Sequence, residues 1–505
     1  MRTIKWFPWC LIVVVFCIYA SSLGIWAYAD DCGYVLRAYN SETRWSLFAT
    51  GSYVFRPLER LVNAINAEIY GYDCTAFTHA FSLVMYLFSI VLVFKATKLF
   101  WGNLKWAPAI AAVLFGLHPQ NVMSVTQIDT VSQLLATVFL LLLVLQLFGA
   151  TAFNSIRHSF LSFVLALLAF LSKETSLGAV FGISLSAIIC HYVKSKRDSR
   201  KFARQYTALI AAIGVALLAY MLLRFHNGAA LGSPGTQYNL SLLGRSLFIN
   251  MGQLLVGVFY YASTLDFFPT RVFGNILISA LLMLSLYSLI VFFYYSEMRS
   301  IQMSSFDAHV QNWIAKSIGL FLIMGSGLFP VVLIGKMSEL YTFTSIPFFA
   351  IWISYSLGSL VQQRSGTLRV FTICLVVFLS IWAGLGTHRK VLRSREISDR
   401  AKSYFSDLQD IGSQLGAEEQ VVCWQATADA EPPDYSAFSK QDRVIVRSAV
   451  ALANQLGLIS VRYQHKSSSD QKCDMRISVR NGHVVLSANQ GDDEATTKGQ
   501  LSKAK

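Results

Sequence analysis

Two adjacent carboxylates, Asp30 and Asp31, follow the apolar run 11–28, and no basic residue comes after them until Arg37. A carboxylate beside an apolar surface has its pKa raised, and a neighbouring carboxylate raises it further. One of the pair could then act as a general base on a hydroxyl. The other could orient it or hold a divalent cation such as magnesium or manganese. The plain alternative is a helix-end pair that stays in water. Arg56, Lys173 and Arg224 are the cations suited to gripping a phosphate, Arg with a planar fork and Lys as a point charge. Arg56 could instead be snorkelling from an interfacial helix, and Lys173 with Glu174 could form a salt bridge within one turn. His79, His118, Asp129, Glu174 and Glu339 complete the set, each expected at a helix end or in a short turn. A histidine at a helix end is often only a cap, and that alternative stands for both. His118 is followed by Pro119, which stops a helix.

These residues must be held by membrane helices. Of 505 residues, 54% are hydrophobic and only 14% charged, against about 25% charged in a soluble domain. Runs at 11–28, 80–94, 131–150, 207–223, 276–294, 318–334 and 367–386 approach the length of about 20 apolar residues that crosses the hydrocarbon layer. Shorter runs at 107–117, 160–171, 177–189, 247–261 and 341–360 bring the expectation to about ten to twelve membrane segments. The runs are apolar throughout, so a β-barrel with its polar and apolar alternation is excluded. The first run, with its basic start and Ala-Tyr-Ala at 27–29, reads as an uncleaved helix, since its apolar core is longer than that of a signal peptide.

Arg2 and Lys5 place the N-terminus in the cytoplasm, as do the lysines at 95, 98 and 105 and the basic loop 194–201 for their own turns. Segments 30–74, 119–130 and 172–175 then face outward. The net charge of +14 is explained by these short loops and a basic tail, so no nucleic-acid partner is implied. Within 30–78, Leu58, Leu61, Val62, Ile65 and Ile69 recur at helical spacing with Glu59, Arg60, Asn63 and Asn66 between them. That pattern predicts an amphipathic helix in the membrane interface.

Past Gly386 the composition changes. The expected organisation is a membrane domain at 1–386, a small α/β soluble domain at 387–490 and a disordered end at 491–505. Within the tail, 408–414 and 441–456 read as helices, and 421–425, 458–464 and 475–486 as strands. The tail is cytoplasmic if 247–261 spans fully and outside if that segment is re-entrant; the outside placement is favoured because Cys423 with Cys473, like Cys32 with Cys74, fit disulfides, with four free thiols the alternative. Cys10, Cys17, Cys190 and Cys374 read as small apolar residues in spans.

In order, the chain carries the Asp30, Asp31 pair, then Tyr53, Arg56, Pro57 and Leu58, then His79. Next come His118 with Pro119, Asp129, and Ser172, Lys173 and Glu174; last are Glu339, Leu340 and Tyr341. This order resembles the GT-C membrane glycosyltransferases, most closely the protein O-mannosyltransferase-like branch, over roughly 26–182 and 335–356. The resemblance implies an all-α polytopic membrane fold and no certain cofactor. It implies a polyprenyl-phosphate-linked sugar as donor and transfer on the outer face with inversion. By position, Asp30 or Asp31 would be the base, with Arg56 and Lys173 facing the donor phosphate. The family pattern departs here at Leu340, where an Arg is expected, and after His118, where the following Glu is missing. No TPR array follows, so the expected acceptor is a surface glycan such as O-antigen or another envelope polysaccharide, decorated by a bacterial inner-membrane hexosyltransferase. A flippase for a lipid-linked sugar is the alternative transporter reading, but it should show charged or broken pairs at mid-span. A non-catalytic membrane scaffold is the third.

Overall fold

The apolar runs become helices over most of their described length. The computed structural model describes residues 3–27, 31, 44–48, 54–71, 75–149, 156–194, 199–228, 257–258, 288, 303–334, 339–362 and 366–415, and the strand residues 422–424, 461–462, 475–480 and 483–488. Apart from 257–258 and 288, the expected spans 247–261 and 276–294 lie outside the described residues, as do the helix 441–456 and Cys32, Cys74 and Cys473, one or both members of each expected cysteine pair.

Twelve helices are labelled in chain order among the described residues: α1 (Thr3–Tyr19), α2 (Pro57–Tyr70), α3 (Ala76–Phe100), α4 (Ala107–Gly116), α5 (Val122–Thr126), α6 (Val131–Gly149), α7 (Ile156–Ser172), α8 (Ser176–Lys194), α9 (Ser199–His226), α10 (Met303–Ile334), α11 (Ile346–Gln362) and α12 (Gly366–Leu415). Seven of the helical stretches are long and apolar enough to cross a membrane, and three shorter apolar helices accompany them. The chain is an all-α, multi-pass membrane protein with a small C-terminal unit that contains a sheet.

The chain divides into two compact units, residues 1–25 with 37–395, and residues 26–36 with 396–505. In the first, α3 packs on α4 and α6, α6 on α7, α7 on α9, and α11 on α4. The first helix ends earlier than its apolar run suggests. It stops at Tyr19, passes through a 3-10 turn at Ala20–Gly24 and reaches extended backbone at Ile25. Ser21, Ser22 and Gly24 explain the stop, since serine competes for backbone hydrogen bonds and glycine costs helical entropy.

The tightest seam joins α8 to α10. Gly178, Gly182 and Ser186 recur every fourth residue along one face of α8. A methyl added at Gly178 would run into the Ser326 carbonyl, and one at Gly182 into the Ser326 hydroxyl and, at 2.9 Å, the Leu322 carbonyl. Ser186 donates to the Gly319 carbonyl at 2.6 Å. In lipid, where no hydrophobic force drives helices together, such small residues let backbones touch and gain dispersion and polar contact. This seam fixes the start of α8, and with it the turn that carries Lys173 and Glu174.

Helix α2 has the predicted amphipathic pattern, with the polar side turned inward. Glu59, Asn63 and Asn66 are buried, while Ile69 is exposed and Leu58, Leu61 and Ile65 are half-buried. Asn66 accepts from the Thr78 N–H at 3.3 Å, and the Thr78 hydroxyl donates to Asn63 at 3.5 Å. The apolar stripe is divided: Val62 is buried against Val131 and Leu135 with Leu58 packed beside it, while Ile69 is exposed. A residue in the left-handed region, Gly71 at φ 65°, ends the helix, which favours glycine for want of a Cβ.

In the second unit the strands β1 (Val422–Trp424), β2 (Val461–Arg462), β3 (Met475–Arg480) and β4 (His483–Ala488) form one sheet in the order β2-β1-β3-β4. β1 runs parallel to β2 and β3, while β3 and β4 are antiparallel, with Arg480 opposite His483. The expected single strand 475–486 is therefore a hairpin. Asn481 and Gly482 stand between its arms, the dipeptide most suited to a two-residue connection. The expected helix 408–414 is the end of α12, which runs unbroken from Gly366.

Replacing Gly182 with Val should destabilise the protein by about 1–3 kcal/mol through overpacking of the α8–α10 seam. Gly214→Ala, where nothing stands within 4 Å of the added carbon, should leave the melting temperature in detergent unchanged or raise it. A Gly182→Val protein as stable as the Gly214→Ala one would refute the seam.

Candidate active site

The site is built where three turns meet. The first opens α2. Arg56 is the residue before Pro57, whose fixed φ suits the first helical position, and Glu59 follows three residues after Arg56 in the first turn. The second links α7 to α8: Ser172 ends one helix, Ser176 starts the other, and the Ser176 hydroxyl donates to the Lys173 carbonyl at 2.7 Å. The third is the 3-10 turn Glu339–Thr342.

Arg56 and Glu174 lock the first two turns together. Arg56 Nε donates to Glu174 Oε2 at 3.0 Å, and the Phe55 N–H donates to Glu174 Oε1 at 2.9 Å. Arg56 Nη1 reaches Glu59 Oε2 at 3.5 Å. Glu174 thus pairs with a residue 118 positions away, which answers the expectation of a salt bridge confined to its own turn. Glu59 is fully buried, and the Ser132 side chain, at the start of α6, also hydrogen-bonds to it.

Lys173 is 4% exposed, and its ammonium sits 5.9 Å from the centre of the Tyr341 ring. That contact brings the Glu339, Leu340, Tyr341 segment beside Lys173. Asp129, half-buried in the 3-10 turn Ile128–Thr130, also acts on Lys173 with its charge. The side chain of Glu339 lies outside the described parts.

The charges shape one another. Burial first, then the Arg56 charge, push the Lys173 ammonium down to about 8, against the pull of Glu59, Glu174 and Asp129. Burial raises the Glu59 carboxyl, and Arg56 and Lys173 only partly offset it. For Glu174 burial acts in the same raising direction, but Arg56, Lys173 and the Phe55 N–H together outweigh it and hold the carboxyl below its ordinary value. The cluster therefore has a firmly ionised pair, Arg56 with Glu174, beside a lysine whose charge is adjustable near neutral pH. An anion placed there would favour its protonated form.

Arg224 and Tyr220 sit next to this cluster on α9. Arg224 is buried and donates to the Tyr220 hydroxyl at 3.0 Å. The Tyr220 ring packs on Phe55 and on Phe170 of α7, each at 5.8 Å.

The two histidines have other surroundings. His118 is fully buried and its Nδ1 accepts the Gln120 N–H at 3.3 Å, capping the turn Pro119–Asn121. Burial, helped by the Lys390 charge, pushes its imidazole down to about 3, so it stays neutral. With Nδ1 accepting, the neutral ring carries its proton on Nε2, and the Val258 backbone near the ring only partly offsets the downward push. Lys390 of α12 donates to the Pro119 carbonyl at 3.1 Å, and Thr387 to the Leu117 carbonyl at 2.9 Å. His79, near the start of α3, is fully buried against the carbonyls of Ile25 and Val125.

Asp31 is helical and fully buried, and belongs to the second unit. In that unit the Trp26 N–H donates to Ser398 at 2.6 Å and its ring lies 5.3 Å from that of Phe405. Asp30 lies outside the described residues. Among the described residues no group of three or more His, Cys, Asp or Glu side chains assembles to hold a metal.

Sequence reasoning missed Glu59 as a member of the site, reading it as part of a polar face. Its signal is local: a Pro at the first helical position with a Glu two residues on, the place where a carboxylate reaches back to the helix start. Lys390 gave no such signal within its basic stretch.

No family model and no curated protein matches the chain. Solved structures do. ArnT from Cupriavidus metallidurans in the apo state matches with a TM-score of 0.51 and 11% identity, over 96% of this chain and 98% of that one. The same protein bound to undecaprenyl phosphate gives 0.44 and 14%, over 96% and 97%. A mutant of the arabinofuranosyltransferase AftD from Mycobacteria gives 0.41 and 12%, over 84% of this chain and 31% of that one. The first match shows the fold: this chain is similar in fold to ArnT.

Glu174→Gln should leave Arg56 with only its longer contact to Glu59, at 3.5 Å, and destabilise the protein by about 1–3 kcal/mol. It should also move the Lys173 titration further below 8, because Glu174 is one of the groups that raises it. Lysine-selective labelling across a pH series reads the titration directly. An unchanged or upward shift would contradict the assigned cluster.

Proposed function

We propose that the protein transfers a sugar from a polyprenyl-phosphate donor to a glycan acceptor, with Arg56 and Lys173 holding the donor phosphate. The observation that carries this reading is the convergence of Arg56, Lys173, Glu174 and Tyr341, from three separate segments, into one cluster of interleaved charges with Lys173 buried at its centre. The ArnT-like fold and the order of the sequence motifs support it.

In the proposed reaction a carboxylate, Asp31 or Asp30, takes the proton of the acceptor hydroxyl. The hydroxyl oxygen attacks the anomeric carbon from the side opposite the phosphate and inverts it. The bond from that carbon to the phosphate oxygen breaks, and the electron pair leaves with the lipid phosphate. The phosphate gains a negative charge as it departs, from diester to monoester. Arg56 and Lys173 would stabilise that growing charge, the kind of electrostatic contribution that is usually the largest single one in catalysis. Arg224 would extend the phosphate grip, and Tyr341 would fix the Lys173 ammonium. His79, His118, Asp129, Glu174 and Glu339 would support the pocket, His118 by shaping its turn as a neutral cap.

The finer reading is a hexose donor, an O-antigen or similar envelope glycan as acceptor, and an outward-facing site in the bacterial inner membrane. The positive-inside distribution of the short loops supports the orientation.

Asp30→Asn, Asp31→Asn and Arg56→Ala, made in a strain whose surface glycan depends on this protein, test the proposal. At least one Asp variant should abolish modification at normal membrane levels. Arg56→Ala should lower the transfer rate by about 10²–10³-fold, with membrane level measured alongside to separate folding from catalysis. Full modification by all three variants would overturn the enzyme reading.

A further inference from the structure

A cavity of about 240 Å³ lies away from the charge cluster, lined by Trp101, Asn103, Asn312, Trp313, Lys316 and Tyr355. It sits at the far end of α3. That helix has 25 residues, so at 1.5 Å per residue its two ends stand about 37 Å apart. Thr78, which bonds to α2, marks one end and Trp101 the other. The exposed lysines at 95, 98 and 105 gather at the Trp101 end, and the Lys105 N–H donates to Gln362 at the end of α11. This is the end that the positive-inside distribution assigns to the cytoplasm.

The lining is chemically mixed in a way that core packing does not require. Trp101 is anchored, its indole N–H donating to the Ile351 carbonyl at 2.8 Å and its ring 4.4 Å from that of Tyr355. Lys316 stands over Trp101, 5.0 Å from the ring centre, and donates to the Phe100 carbonyl at 2.6 Å. Capping the end of α3 accounts for Lys316 alone. It does not account for two carboxamides and a second indole facing a space with no carboxylate in its described lining. The volume falls below the roughly 300–1,000 Å³ of a site for a drug-sized ligand, which suits a headgroup rather than a whole lipid.

We infer that this cavity binds the phosphate headgroup of an anionic phospholipid from the cytoplasmic leaflet. Lys316 supplies the point charge for the phosphate, and Asn103 and Asn312 supply amide hydrogen bonds to phosphate or glycerol oxygens. The aromatic faces of Trp313 and Tyr355 meet the glycerol carbons at the depth where such rings concentrate. Basic pockets between helices on the cytoplasmic side are a recurrent form of lipid recognition.

The full-length protein in detergent tests this by native mass spectrometry and thermal melting, with phosphatidylglycerol, phosphatidylcholine and glycerol 1-phosphate as separate probes. Phosphatidylglycerol should be retained and should raise the melting temperature, and phosphatidylcholine should do neither. Asn312→Ala, which leaves the Lys316 cap in place, and Lys316→Met should each weaken phosphatidylglycerol retention by about tenfold. Equal retention of the two lipids by the natural protein, or unchanged retention in both variants, would overturn the inference. Stabilisation by glycerol 1-phosphate without any by phosphatidylglycerol would overturn it in favour of a soluble phosphate compound.

Discussion

The ion pair between Arg56 and Glu174 is the constraint on which the arrangement of the first unit turns. It joins segments 118 residues apart in a half-buried setting, so losing one side leaves a poorly solvated charge in place. Holding that pair at 3.0 Å requires the start of α2 to meet the turn between α7 and α8. It also requires α8 to be held by its glycine seam with α10. Once those are set, Lys173 has nowhere to go but beneath Tyr341, and Glu59 is carried inside with the first turn of α2. The ion pair is therefore both a fastening and the electrostatic setting in which Lys173 titrates near 8.

The two ends of the helix bundle use positive charge differently. At one end, Arg56 and Lys173 are interleaved with Glu59, Glu174 and Asp129, so the cations are held in fixed positions and tempered. A tempered cation suits a group that must first accept a phosphate and then release it. At the other end Lys316 meets aromatic rings and amides, and exposed lysines surround it. That is the character of a surface for persistent binding rather than turnover.

Much of this was legible in the sequence because membrane helices are written in long apolar runs, and because charges beside them are costly enough to mark a site. The runs gave the helices α3, α6, α7, α8, α10 and α11, and the residue types gave Arg56, Lys173, Glu174 and Asp129. What the sequence could not supply was pairing. Nothing local tells Glu174 to choose Arg56 over its neighbour Lys173, or places Tyr341 over an ammonium 168 positions before it. The inward turn of Glu59, Asn63 and Asn66 was hidden for a related reason. In water the polar side of an amphipathic helix faces out, but against lipid the apolar side does, and periodicity is the same in both cases. His118 shows the opposite limit. Its type suggested chemistry, while its hydrogen bond to Gln120 and its burial make it a neutral cap.

The central claim is that Arg56 and Lys173 receive the lipid phosphate, and a structure of the protein bound to a polyprenyl phosphate tests it most directly. Phosphate density should lie within hydrogen-bonding distance of both the Arg56 guanidinium and the Lys173 ammonium, with Tyr341 still against Lys173. Phosphate density held elsewhere, with the Arg56, Glu174 and Lys173 cluster unchanged and untouched, would contradict it.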